Sequence, residues 1–156
     1  MGSRGKKNKK LQTPPVPTIT GKRTGNPSSL LPASTTSAER LCWRFTHVDH
    51  DSRWGFSAMQ PDVLCEILKK LAYCESMTVA ELRNTRRFFK EYDLPGGLCK
   101  EALDRLAHMG REDMTAIQRL EFTGTQRLYG FLEGNVFHVV WWDPDHEVYP
   151  SRKKHT

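Results

Sequence analysis

The chain predicts an α+β domain: an antiparallel β-sheet, mainly a C-terminal meander, covered on one face by two or three helices. Residues 118–149 hold three β-prone runs, 119–122, 127–132 and 136–142, separated by short glycine-containing turns. Ahead of them, three stretches repeat apolar residues at helical spacing. Helices come first and the meander strands follow one another, so the sheet is built of hairpins and the helices gather on one side of it.

The elements follow in order. Residues 41–48 are apolar and aromatic enough for a first strand, and Trp54-Gly55-Phe56 can return beside it. Pro61 suits a first helical position, and Val63, Leu64, Ile67, Leu68 and Leu71 recur on one face, predicting a helix over 61–74. Thr78 with Glu81 three residues on is a capping box, opening a short second helix that frays in the basic run 83–90. Leu94-Pro95-Gly96-Gly97 breaks the chain. A third helix over 98–109 buries Leu98, Ala102, Leu106 and Met109, with Gly110 as its C′ residue.

The turns set the register of the meander. Gly134-Asn135 suits a two-residue type II′ turn, which pairs Leu132 with Phe137, Gly130 with Val139 and Leu128 with Trp141. The loop Thr123-Gly124-Thr125 then pairs Leu120 with Leu128, Glu121 with Arg127 and Arg119 with Tyr129. Side chains alternate, so one face is wholly apolar and the other holds Arg119, Arg127, Tyr129, His138 and Trp142. That second face is expected to be an open platform for an anionic ligand.

Charge is divided unevenly along the 156 residues, whose formal net charge is +6. Residues 1–40 carry eight Lys/Arg against one acid (+7), and the rest carries sixteen against seventeen (−1). Residues 1–38, rich in Pro, Gly, Ser, Thr and Lys, are expected to be a disordered basic leader, with nothing to bury against the roughly 1–2 kcal/mol that ordering each backbone unit costs. Residues 39–150 form a single domain, and 151–156 a basic tail. Pro14, Pro15 and Pro17 interrupt any signal-peptide core, and no run approaches the roughly 20 apolar residues of a membrane span. Cys42, Cys65, Cys74 and Cys99 lack paired metal spacing, so a cytoplasmic protein with reduced, mostly buried thiols is expected.

Three constellations can carry chemistry. Cutting RNA through its 2′-hydroxyl needs a proton acceptor, a proton donor and cations around the phosphate. Arg119 and Arg127 suit the last role, His146 either proton role, and Tyr129 and Tyr149 can stack on a base or share a proton, with Lys153, Lys154 and His155 in support. Arg127 can equally be a cross-strand partner of Glu121, and His146 a tie for the Asp143-Pro144-Asp145 corner. A metal site is the second possibility, from His47, Asp49, His50 and Asp51 at one end and His138, Asp143, Asp145 and His146 at the other. Third, Trp43, Trp54, Phe56, Trp141 and Trp142 pack a core, with Trp142 on the arginine face able to stack a base or meet a partner.

Gln126-Arg127-Leu128-Tyr129 and His146-Glu147-Val148-Tyr149, set in the run 118–149, resemble the arginine strand and the ending of bacterial RelE/ParE-superfamily toxins. The ending also resembles that of short uncharacterised bacterial proteins. The toxin resemblance implies an endoribonuclease acting on mRNA, often on the ribosome, and a protein antitoxin as partner. It implies that Arg127 stabilises the phosphate, His146 is general acid or base, and Tyr149 orients or stacks the substrate, with no metal or cofactor. A non-catalytic module binding nucleic acid or protein on the same fold is the alternative, and a metal-dependent hydrolase a third.

Overall fold

A computed structural model gives the architecture and describes residues 38–151. The leader up to residue 37, and the tail carrying Lys153, Lys154 and His155, lie outside the described residues. The elements run β1 (Cys42–Arg44), α1 (Pro61–Cys74), α2 (Val79–Asn84), β2 (Phe89–Asp93), α3 (Lys100–His108), β3 (Ala116–Glu121), β4 (Arg127–Glu133) and β5 (Val136–Asp143). The predicted α+β class holds. The helices begin and end as their caps dictate: Pro61 opens α1, both hydrogen bonds of the Thr78–Glu81 capping box form, and Gly110 follows α3 at φ +66°.

All five strands join one sheet in the order β1-β5-β4-β3-β2. The meander is antiparallel, but β1 lies parallel to β5, so the sheet is mixed rather than purely antiparallel. Strand β2 was not expected, because its sequence FKEYD places Lys90 and Glu91 in a strand. Those charges are tolerable at a sheet edge, where they also discourage pairing with another chain. The first strand is shorter than its apolar run suggests. Residues 45–59 leave it as a loop along the edge of β5, with Asp49 N–H donating to the Val140 carbonyl (3.0 Å) and Trp142 N–H to that of Trp54 (2.8 Å).

Both faces of the sheet are covered, which corrects the expectation of helices on one face only. Ile67 and Leu71 of α1 and Leu82 of α2 pack on Leu120, Leu128, Phe137, Val139 and Trp142. On the opposite face, Ala102 and Leu106 of α3 join Trp54 and Val148 over Ile117, Tyr129, Phe131, Val140 and Trp141. The face taken for a polar platform therefore has five large apolar or aromatic side chains of its own to bury. At roughly 1.5–3 kcal/mol each, covering them outweighs leaving the arginines open to water.

The β3–β4 register is the expected one, and β4–β5 agrees from the turn as far as Gly130–Val139. Gly134 adopts φ +61° at the turn, as a type II′ hairpin requires. Beyond Gly130 a bulge intervenes, so Tyr129 meets Trp141, Leu128 meets Trp142 and Arg127 meets Asp143. Val140 is the extra residue, and it and Trp141 turn to the same face. Trp142 therefore leaves the predicted arginine face for the α1 side. There its ring meets Phe122 edge-on at 5.4 Å, and the residue is too buried to stack a base.

Gly130 makes the bulge possible. A Cβ at this position would run into the His138 carbonyl oxygen and the Phe137 ring, and the first of these is backbone that cannot swing aside. Gly130→Ala is expected to cost about 3 kcal/mol, at the upper end of overpacking effects. A fall in the urea midpoint at unchanged m-value checks this.

Candidate functional site

Most of the predicted site residues do come together, but below the surface. Arg119 is 3% exposed, Arg127 7% and Tyr129 0%. Arg119 Nη1 donates to Glu121 Oε2 at 2.6 Å, and Arg127 Nη2 lies 3.5 Å from the same oxygen. Arg127 Nη1 also donates to the Gly124 (2.7 Å) and Gln126 (2.9 Å) carbonyls, tying down the β3–β4 turn. Burial raises the Glu121 carboxyl, but the hydrogen bond from Arg119 and the charge of Arg127 outweigh it, and the net shift is downward.

Residues 144–149 pass over this cluster, folded by Asp143. Its carboxylate accepts the backbone N–H groups of Asp145 (3.2 Å), Glu147 (3.0 Å) and Val148 (2.8 Å). His146 sits in that turn at φ +59°, a conformation costing a non-glycine residue on the order of 1–3 kcal/mol. Burial and then Arg127 push its imidazole below the ordinary value of 6.5, with Asp143 opposing. Tyr149 stacks on Tyr92 (4.0 Å, 16°) and fills the place where Gly97 has no side chain. Burial raises the phenols of Tyr92 and Tyr129.

Arg119 Nε, Arg127 Nε and the Tyr129 hydroxyl are buried without a protein partner. Even so, both guanidinium groups lie against the Glu121 carboxylate, and both arginines are buried. The expected open platform is absent, and the cluster is arranged to hold β3, β4 and the C-terminal segment together.

A second constellation lies at the other end of the same sheet face. His138 on β5 is the register partner of Arg44 on β1, and the loop leaving β1 brings His47 to it. The two imidazole centroids are 5.2 Å apart with the rings inclined by 37°. Arg111, just past α3, places Nη2 2.9 Å from His47 Nδ1. Glu133 Oε2 lies 3.6 Å from His138 Nε2, an ion pair whenever that ring is protonated, and His138 Nδ1 is buried without a partner. A recess of about 270 Å³ opens alongside, lined by Thr46, His47, Met109, Arg111, Phe131 and Val140. Burial, and then the charges of Arg111, His138 and Arg44, lower the His47 pKa from 6.5, so that ring is neutral at neutral pH.

Asp49 anchors the loop carrying His47. Only 3% exposed, it accepts from Arg105 Nε (2.8 Å) on α3 and from Trp141 Nε1 (3.0 Å) on β5. The metal possibility named both His47 and His138, and the adjacency of β1 and β5 does bring those two together. Asp49 is committed to Arg105 and Asp143 to the 144–148 turn. No group of three or more His, Cys, Asp or Glu side chains among the described residues is placed to hold a metal ion. Arg44 and Arg111 were missed, since nothing local in the sequence joins positions 44, 47, 111 and 138.

Cys42 and Cys65 are exposed, Cys99 is half-buried and Cys74 is buried, so the thiols are less enclosed than expected. No helix among the described residues is long and apolar enough to cross a membrane. No protein-family model, curated protein or solved structure matches the chain.

Proposed function

We propose that the protein is a metal-independent endoribonuclease whose acid–base pair is His47 and His138, acting in the cytoplasm as a toxin of the RelE/ParE kind with a protein antitoxin. The observation that supports it is the imidazole pair, 5.2 Å apart, with Arg111 against one ring and Arg44 beside the other. That set meets the demands of 2′-hydroxyl attack better than Arg127 and His146 do. His47 is kept neutral and takes the 2′-hydroxyl proton. His138, whose Nε2 lies 3.6 Å from Glu133 Oε2, is placed to return a proton to the departing 5′-oxygen. Arg111 turns from His47 to the phosphate, and the two guanidinium groups hold the charge that grows on its oxygens. The resemblance of residues 118–149 to toxins supports the biological role and the choice of mRNA.

Electrostatics divides the labour. Residues 38–151 hold fourteen Lys/Arg and eighteen acids, a net −4, while the other ten Lys/Arg lie in the flanking sequence. Capture of RNA at a distance then falls to the flanks, and the cleft supplies local contacts. The same acidic balance favours a second reading, a module on this fold that binds RNA or a protein without cutting. Such a module shifts RNA in a gel and leaves it intact.

Induced expression tests the role in cells. The wild type is expected to arrest growth, and His138→Ala to relieve the arrest at equal protein level. Arrest that persists in His138→Ala, or a wild type without effect, contradicts the reading. The pH profile adds a second check. A general base must be unprotonated, so activity rises with pH through the His47 pKa. The rising limb of kcat/KM is expected below pH 6.5, the ordinary histidine value, because that pKa is lowered.

A further inference from the structure

One corner of the domain departs from its acidic balance. Residues 83–90 hold Arg83, Arg86, Arg87 and Lys90 and no acid. The rest of residues 38–151 is left with ten Lys/Arg against eighteen acids, a net −8. The basic run passes from the last turn of α2 through a tight turn into β2, where the Phe89 N–H donates to the Thr85 carbonyl (2.9 Å). That fold gathers the four cations at one corner, and all four are exposed. Lys70 of α1 joins them, with its ammonium 5.1 Å from the centre of the Phe88 ring. Lys70 and Arg87 line one recess of about 300 Å³ together with Phe88, Phe122 and Gly124.

Among the described residues, two of these cations meet an acid, and neither contact uses up the charge. Arg83 Nη1 lies 3.6 Å from Glu91 Oε2, an exposed pair worth at most about 1 kcal/mol. Arg87 Nε lies 3.8 Å from Glu121 Oε1, and its side chain is 96% exposed. Glu121, which also lines the recess, already faces Arg119 and Arg127, so one carboxylate stands among three guanidinium groups. The recess therefore keeps a surplus of positive charge. Three of the four cations in the run are arginines, whose planar fork grips two phosphate oxygens at once. A partner protein adding a strand to β2 is disfavoured, because Lys90 and Glu91 stand on that edge. Given the endoribonuclease reading, on which the choice of polyanion rests, we infer that this corner is a second contact for single-stranded RNA. One phosphate seats between Lys70 and Arg87, and its neighbours fall to Arg86 and Arg83. Strands β2 and β1 are the two edges of the sheet, four spacings of about 4.8 Å apart, so the RNA is gripped well away from the imidazole pair that cuts it.

Binding of a fluorescent 2′-O-methyl oligouridine to the full chain, read as anisotropy over a salt series, tests this. That RNA has no free 2′-hydroxyl, so it is bound without being cut. The wild type is expected to bind it, with affinity falling steeply as salt rises. Arg86→Glu and Arg87→Glu are each expected to weaken binding about tenfold and to lower the slope of log K against log salt by about 0.7, the share of one phosphate on a single strand. Lys100→Glu makes the same change of charge at an exposed site on α3 and should leave the slope unaltered. All three side chains are exposed, so the variants should keep the wild-type circular dichroism. Variants at 86 and 87 that bind as Lys100→Glu does, or a wild type that does not bind, overturn the inference. Loss of an acidic partner protein from these variants, with RNA binding intact, overturns it too and assigns the corner to that protein. RNA that is held through Arg86 and Arg87 but never cut in its unmodified form upholds the contact and contradicts the endoribonuclease reading instead.

Discussion

His138→Ala is expected to reduce RNA cleavage by about 10²–10⁴-fold, the range for loss of a positioned proton-transfer group, while leaving the fold intact. His138 sits on β5 near the edge strand, and its Nδ1 bonds to nothing in the protein, so truncation breaks no internal hydrogen bond. His47→Ala should fall in the same range. The pair should be less than additive, since either loss disables the same proton circuit. Arg111→Ala is expected to lower the rate by about 10²-fold, as when one charge-stabilising donor is removed. Arg127→Ala should act differently. Its guanidinium holds the β3–β4 turn and shares Glu121 with Arg119, so its loss is expected to appear in the melting temperature before the rate. Rates for the four variants, set beside their thermal melts, separate chemistry from folding.

Asp49→Ala is expected to cost about 3 kcal/mol, the lower end of the range for breaking a buried ion pair because Arg105 retains some exposure. The substitution leaves Arg105 without its counter-charge and Trp141 Nε1 without an acceptor. It also frees the loop that places His47, so activity should fall along with stability. Burial alone would raise the Asp49 carboxyl, but the bonds from Arg105 and Trp141 outweigh it and hold it below the ordinary 3.8. The sign follows: this contribution is fully present above pH 3.8 and is lost as pH falls through the lower folded-state value. Denaturant midpoints of wild type and Asp49→Ala should therefore differ most near neutrality and converge in strong acid. An Asp49→Ala protein as stable as the wild type at pH 7 shows that the pair does not anchor the loop.

Local chemistry was legible in the sequence, and long-range partnership was not. Pro61, the Thr78–Glu81 box, Gly110 and Gly134 each determine a turn of backbone through their own sterics or hydrogen bonds. The elements they govern begin and end where expected. The hairpin registers followed from loop length as far as Gly130. The bulge beyond it depends on Phe137 and His138 crowding a glycine, which is visible only in three dimensions. The parallel β1–β5 pairing joins residues more than ninety apart, with no turn between to announce it.

The reading of a polar face failed for a related reason. Arg119 and Arg127 were judged by type, as if a guanidinium must face water. Glu121 lies two residues from Arg119 and directly opposite Arg127, and that neighbour lets both be buried. Of the proposed catalytic groups, His47 and His138 were noticed singly and as metal ligands. Their juxtaposition with Arg44 and Arg111 is a product of topology.

The termini left on a cut RNA test the central claim most directly. Purified protein, incubated with a short RNA in excess chelator, is expected to leave a 2′,3′-cyclic phosphate on the upstream fragment and a free 5′-hydroxyl on the downstream one. A single deoxynucleotide at the cut position should block cleavage there, and His47→Ala should show none of it. A 5′-phosphate terminus, cutting that ignores the missing 2′-hydroxyl, or an RNA left whole contradicts the account.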